Sequence, residues 1–255
     1  MVVSDGRSVL ADPNQGGDEP VLMALKLPGV PVVAGKNRYR AARDAQRRFD
    51  PDIVILDDGF QHLHLTRTLD IVLVDARDPF GNGKLFPAGI LREPISALER
   101  AHVVLITNAD RTEDADALKR IVRQNTNARI FTSRQTPLDL IECRSGVTRP
   151  LSALREATVF GFSGIARPES FIALLRSLGA IIAGEQAYPD HYDFTRSDLA
   201  SVYKSAADEK AAMIVTTEKD AVRLNRFKPE GIWALRIELS VFEHETWEEF
   251  LLKSL

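Results

Sequence analysis

The sequence predicts an α/β chain whose mostly parallel, Rossmann-like sheets are flanked by helices and divided between two domains. Short all-aliphatic runs recur, Ile53-Val54-Ile55-Leu56, Ile71-Val72-Leu73-Val74 and Val103-Val104-Leu105-Ile106. Runs of strand length without polar alternation suit strands covered on both faces. Helical stretches separate them, which is the rhythm of βαβ units. A length of 255 residues, 44% hydrophobic and 27% charged, allows one large or two modest domains.

A net charge of -3 gives no basic footprint, so a nucleic-acid partner is not expected. The single cysteine, Cys143, excludes an intrachain disulfide and a Cys-rich metal site, and suits a reducing, cytoplasmic compartment. No apolar run of spanning length and no signal-peptide pattern is present, so the chain as given is expected neither to span a membrane nor to be exported.

From the start, residues 1–20 read as a polar, Gly-rich segment ending in Gly16-Gly17-Asp18-Glu19-Pro20. Val21-Leu22-Met23-Ala24-Leu25 then begins a helix with Pro20 near its first turn. Pro31 to Ala34 reads as a strand and Tyr39 to Phe49 as a helix. Between them, Gly35-Lys36-Asn37 imitates a phosphate loop. From Gly29 its spacing is one residue too long for G-x-x-x-x-G-K-[ST], and Asn37 stands where a hydroxyl is required. Gly81-Asn82-Gly83-Lys84 fails likewise, since Leu85 follows. Asp52 to Leu56 is expected to be a buried strand delivering Asp57 and Asp58 at its C-terminal tip, the Walker B arrangement in which carboxylate oxygen meets Mg²⁺. The plainer reading of Asp57-Asp58-Gly59 is a turn.

Asp70 to Asp75 reads as a second buried strand, Ile95 to Ala101 as a helix, His102 to Thr107 as a strand, and Thr112 as the cap of a helix reaching Gln124. The 18-residue stretch from Ala76 to Glu93 is long for a structureless loop in a compact domain, which points to function. From about Ala128 alternating segments suggest an antiparallel connector. A second α/β unit follows: strand Ala157 to Gly161, helix Arg167 to Leu178, strand Ala180 to Ala183, a helix capped by Thr195 with Asp198 as its capping-box partner, and strands Met213 to Thr217 and Ile232 to Leu239. The expected domains are therefore 1–135 and 136–255.

Several residues carry two readings. Asp18 and Glu19 are an ordinary helix start, or a base and a metal carboxylate beside a close-approach Gly pair. Arg92 and Glu93 are a solvated helix start or part of a site. His191, next to Asp190, is a surface residue or a proton carrier. Thr216-Thr217-Glu218-Lys219-Asp220 is a capped strand-to-helix junction or a source of hydroxyls and a cation.

Taken together, Gly17-Asp18-Glu19-Pro20, Asn37-Arg38, Asp57-Asp58-Gly59-Phe60-Gln61-His62, Pro87-Ala88-Gly89 through Leu91-Arg92-Glu93-Pro94, Gly164-Ile165-Ala166-Arg167-Pro168 with Phe171, Pro189-Asp190-His191 and Thr216 to Asp220 resemble the tetraacyldisaccharide 4′-kinase family of lipid A biosynthesis. The resemblance keeps the family's order over nearly the whole chain. It implies a P-loop-kinase-like fold and transfer of the γ-phosphate of ATP to the 4′-hydroxyl of an acylated disaccharide, with ATP and Mg²⁺ as cofactors. By position it implies Asp18 as catalytic base and His191 as its partner. Asp57, Asp58, Glu19 and Glu93 would lie near the metal, and Arg38, His62 and Arg92 would line the nucleotide cleft. The second domain would close on the first and bring His191 in. The partners implied are the lipid substrate and the cytoplasmic face of the inner membrane, for a protein acting as a monomer.

The chain departs from that pattern in one respect. The family's phosphate loop, which would precede the segment where this chain begins, and its apolar N-terminal helix are missing from these residues. Weak ATP binding, little activity and an exposed apolar sheet edge are therefore expected of the polypeptide alone. Two other readings stand beside this one: a non-catalytic remnant or binding module on the same scaffold, and a P-loop-like hydrolase of a soluble nucleotide, which would need no apolar surface near Asp18.

Overall fold

The computed structural model describes residues 1–112 and 114–254. Its elements in chain order are β1 (Val2–Asp5), α1 (Pro13–Gly16), α2 (Asp18–Lys26), β2 (Pro31–Val33), α3 (Arg38–Phe49), β3 (Ile71–Asp75), β4 (Val103–Thr107), α4 (Ala115–Asn125), β5 (Arg129–Glu142) and β6 (Thr148–Arg149). They continue with β7 (Thr158–Ser163), α5 (Pro168–Ser177), β8 (Ile181–Ala187), α6 (Arg196–Asp208), β9 (Met213–Thr217), α7 (Glu218–Leu224), β10 (Ile232–Val241) and α8 (His244–Ser254).

Contacts divide the chain into two compact units, Met1–Asp50 with Pro137–Ile237 and Pro51–Thr136 with Glu238–Leu255. The expected boundary at 135/136 lies one residue from a crossing point. The first 50 residues, however, cluster with 137–237 rather than with the segment that follows them. Strands β5 and β10 each run from one unit into the other.

In the first unit β10, β9, β7 and β8 form parallel neighbours, with Val159 opposite Met213 and Ile232 opposite Ile214. One face is filled by Leu140, Val159, Ile172, Leu175 and Val215, the other by Phe160, Phe162, Phe194, Val202 and Leu224. A Cβ on Gly161 would stand 2.6 Å from Ile172 Cδ1, so any side chain there would make Ile172 shift. The N-terminal segment is more ordered than its composition suggests. β1 pairs antiparallel with β2, Asp12 caps α1 by accepting from Asn14 and Gln15, and Val3, Val21 and Ala24 pack on Val222 of α7. Asn37 caps α3 by accepting the Arg40 amide, so the phosphate-loop imitation is a helix start. Thr195 and Asp198 form the expected capping box of α6.

In the second unit β3, β4 and β5 are parallel, and Val74, Leu98, Val104, Ile106, Leu118 and Val122 make the core on one side. Two expectations fail here. Residues 53–56 form no strand: Ile53 and Val54 are about half exposed and Ile55 is 90% exposed. The aliphatic run meets the side-chain condition for a strand, but a strand also needs a neighbouring backbone to take its N–H and C=O groups. Among the described residues β3 pairs only with β4, which leaves its outer edge open and Leu73 exposed. The helix expected from Thr112 is capped instead by Asp114, which accepts the Ala117 amide at 2.6 Å. The expected antiparallel connector is one long strand, β5, antiparallel to β6 and also to its neighbour β10, with Cys143 N–H donating to Ile232 O at one end and Phe242 N–H to Thr132 O at the other.

The long loop is built rather than slack. Phe86 N–H donates to Leu91 O, Asn82 Nδ2 donates to Ala88 O, and a Cβ on Gly89 would lie 2.2 Å from Asn82 Oδ1. That close approach accounts for the glycine in Pro87-Ala88-Gly89.

Candidate active site

Asp18 opens α2 immediately after Gly17, whose φ of 88° favours a residue without a side chain. With Glu19 it places negative charge in the first turn, where unpaired N–H groups and the helix dipole favour it. Its carboxylate is fixed from below by α7. Arg223, with a side chain 3% exposed, donates from Nε to Asp18 Oδ2 at 2.6 Å. The same guanidinium donates from Nη1 to Gly164 O and to Asp220 Oδ1, both at 3.0 Å, and its Nη2 lies 3.1 Å from His191 Nδ1.

Asp220 is fully buried. Its Oδ2 accepts from the Gly164 amide at 3.1 Å and from Thr217 Oγ1 at 2.7 Å, while Thr217 Oγ1 also accepts the Asp220 amide as the N-cap of α7. Burial pushes the Asp220 carboxyl above its ordinary range, opposed by these hydrogen bonds and by the Arg223 charge. Gly164 serves both partners, donating to Asp220 and accepting from Arg223. A Cβ there would stand 3.2 Å from Asp220 Oδ1, from Pro189 O and from Tyr192 Cβ, so a side chain would press on all three.

His191 follows Asp190 in a loop and takes a left-handed φ of 57°. Asp190 Oδ1 accepts the His191 amide at 3.0 Å. The ring, 57% exposed, sets Nδ1 at 3.4 Å from Asp18 Oδ2. Tyr188, Tyr192 and Phe194 stack behind this loop. Asp18, His191, Asp220 and Arg223 all belong to one compact unit.

The other expected residues are placed less suggestively. Glu19 pairs with Lys219 at 2.7 Å, and Arg38 donates to the Gly35 carbonyl beside it. In the second unit Asp57 and Asp58 lie exposed at the turn, Asp58 with φ 50° and paired to Arg92 at 2.8 Å. Glu93 pairs with Arg100 at 2.7 Å, and the His62 carbonyl accepts from Arg67. Among the described residues no three His, Cys, Asp or Glu side chains gather to hold a metal. Carboxylate oxygen is the right donor for Mg²⁺, and Glu19, Asp58 and Glu93 are each engaged by a cation.

The reading of the sequence missed Arg223. It lies three residues after Asp220 and between Val222 and Leu224, which are buried. An arginine on an otherwise buried helical face, at i+3 from a motif carboxylate, was the available signal.

Comparison with known proteins places these features in context. The family model described as tetraacyldisaccharide-1-P 4′-kinase (LpxK) matches residues 1–255. A tetraacyldisaccharide 4′-kinase of Anaeromyxobacter dehalogenans strain 2CP-C is 45% identical over 226 residues, 88% of this chain and 60% of that protein. One from Syntrophus aciditrophicus is 40% identical, covering 100% of this chain and 71% of the relative. Among solved structures, the "apo" form of LpxK from Aquifex aeolicus in complex with ATP is similar with a TM-score of 0.78 and 29% identity, covering 100% of this chain and 74% of that one. The chain thus spans about 60% of the length of the Anaeromyxobacter relative.

Proposed function

The chain belongs to the tetraacyldisaccharide 4′-kinase family, and from that premise we propose that it takes part in moving the γ-phosphate of ATP to the 4′-hydroxyl of tetraacyldisaccharide 1-phosphate, giving lipid IVA. The observation that carries the reading is the carboxylate of Asp18, held at the tip of α2 by Arg223 with His191 beside it. With Oδ2 occupied by the guanidinium, Oδ1 is the oxygen left for a sugar hydroxyl. In the proposed step the 4′-oxygen bonds to the γ-phosphorus, the bond to the β–γ bridging oxygen breaks, ADP leaves, and the hydroxyl proton passes to Asp18. Such a transfer asks mainly for positioning and charge neutralisation. Mg²⁺ belongs to the proposal as the counter-ion that an ATP triphosphate carries, for which Asp57 and Asp58 supply the kind of oxygen it prefers.

An acylated acceptor is favoured over a soluble nucleotide by the exposed apolar residues of the same unit. Leu25 on α2, then Leu27 and Val30 beyond it, and Val9 and Leu10 after β1, are all exposed. α3 adds Arg38, Arg40, Arg43, Arg47 and Arg48 against a single Asp44 and buries none of its residues. A basic helix beside exposed apolar groups suits an anionic leaflet, and peripheral seating on the cytoplasmic face of the inner membrane is part of the proposal. Among the described residues no helix is long and apolar enough to cross a membrane.

The 255 residues contain no G-x-x-x-x-G-K-[ST], and a backbone cradle of that kind is what holds β- and γ-phosphates. The polypeptide of these residues alone is therefore expected to bind ATP weakly. Calorimetric titration with Mg-ATP tests this: no saturation in the micromolar range is expected, and micromolar affinity would overturn it.

A further inference from the structure

We propose that Arg223 is a positioning residue that sets the tautomer of His191, holding its Nδ1 as a hydrogen-bond acceptor beside the Asp18 carboxylate. Donor and acceptor inventories decide the tautomer. A guanidinium has five N–H donors and no acceptor, a carboxylate only accepts, and a neutral imidazole has one nitrogen of each kind. His191 Nδ1 has two neighbours with opposite demands: Arg223 Nη2 at 3.1 Å, which can only donate, and Asp18 Oδ2 at 3.4 Å, which can only accept. One nitrogen cannot satisfy both. Asp18 Oδ2 already accepts from Arg223 Nε at 2.6 Å, so its demand is met without the imidazole. Arg223 Nη2 gains a partner only if Nδ1 offers its lone pair. The arrangement therefore assigns the hydrogen of neutral His191 to Nε2, the nitrogen facing Asp190 Oδ2 at 4.0 Å.

The guanidinium can impose this choice because it cannot move. Gly164 O and the buried Asp220 carboxylate take its Nη1, and Asp220 is itself fixed by Thr217 and the Gly164 amide. The rest of the consequence rests on the kinase reading above. With no N–H on Nδ1 competing for Asp18 Oδ2, the carboxylate keeps the orientation that Arg223 gives it, and Oδ1 takes the acceptor hydroxyl's proton and passes it to water. The exposed ring keeps its hydrogen on Nε2 throughout, so the same tautomer meets each turnover. Asp18 is left ionised for the next turnover.

The test uses the protein carrying this chain, labelled with ¹⁵N-histidine and observed by long-range ¹H–¹⁵N correlation at alkaline pH. Wild type is expected to show His191 protonated at Nε2 and bare at Nδ1. Arg223→Met should move the hydrogen to Nδ1, where it donates to Asp18, and Arg223→Lys should keep it on Nε2. In turnover, Arg223→Met should lower kcat about 100-fold with KM for ATP little changed, as misplacing a reacting group does, and Arg223→Lys should recover about tenfold of that loss. Should Arg223→Met fail to fold because Asp220 is left charged and unpaired, the double variant Arg223→Met with Asp220→Asn removes the stranded charge and is read in the same way. A wild-type spectrum with hydrogen on Nδ1, or a tautomer unchanged in the Met variants, overturns the proposal. If the tautomers behave as expected while Asp18→Asn retains full kcat, the kinase reading of Asp18 fails and the positioning role stands.

Discussion

His191 Nδ1 stands 3.4 Å from Asp18 Oδ2, although 173 positions separate them in the chain. What joins them is a third residue, Arg223, buried beneath both and tied to Asp220 and Gly164. An arginine in such a place is costly to desolvate and is tolerated only where hydrogen bonds compensate. Its bonds to two carboxylates, a carbonyl and an imidazole engage four of its five N–H donors.

Residues 53–56 offer a direct test of the second unit. Ile55 is 90% exposed, so Ile55→Ser in the 255-residue polypeptide is expected to change unfolding free energy by less than about 0.5 kcal/mol. Urea denaturation reads it. A loss above about 2 kcal/mol is what a buried strand residue would give, and it would contradict the arrangement described.

Acid stability should depend on Glu142. Burial raises its carboxyl, but donation from the Ser145 hydroxyl and amide and from the Gly231 and Arg144 amides outweighs that and sets it below its ordinary 4.5. The charged form is thus preferred in the folded state, so this contribution is present above pH 4.5 and is lost as pH falls through the folded value. Glu142→Gln should lower stability at neutral pH by about 1–3 kcal/mol and flatten the decline below pH 4.5. A variant as stable as wild type at pH 7, declining as steeply in acid, would refute the assignment.

Cys143 should be inert while the protein is folded. Burial, with the Glu142 charge adding to it, pushes its thiol up to about 12. At pH 8 that leaves roughly one thiolate in ten thousand, and the thiolate is the reactive form. Iodoacetamide is expected to label Cys143 only after denaturation, and rapid labelling of the native chain would contradict the raised thiol.

Much of this molecule was legible from residue order, and the failures share a cause. Local chemistry was readable: the Thr195–Asp198 box, the Pro20 helix start, the parallel strands β4, β7 and β9, and the family motifs with Asp18 and His191 among them. Features decided by partners distant in sequence were not. Ile53 to Leu56 has strand composition without a neighbouring backbone to pair with. The segment before Asp18 supplies β1 because Pro31–Val33 pairs with it, which no local pattern in residues 1–20 announces. Glu19, Asp58 and Glu93 each found a cation, Lys219, Arg92 and Arg100. Arg223 was overlooked because an arginine beside a motif reads as a solvated helix end until its burial is known.

Asp18 as the acceptor of the hydroxyl proton is the centre of the proposed reaction. Steady-state transfer of phosphate from ATP to tetraacyldisaccharide 1-phosphate should be measured for Asp18→Asn in the protein carrying these residues. The variant keeps the size of the side chain and an oxygen for Arg223 but gives up the base. A fall in kcat of about 10²–10⁴-fold is expected, with KM for ATP nearly unchanged. A kcat within about twofold of wild type, far short of what a lost general base costs, would contradict the account.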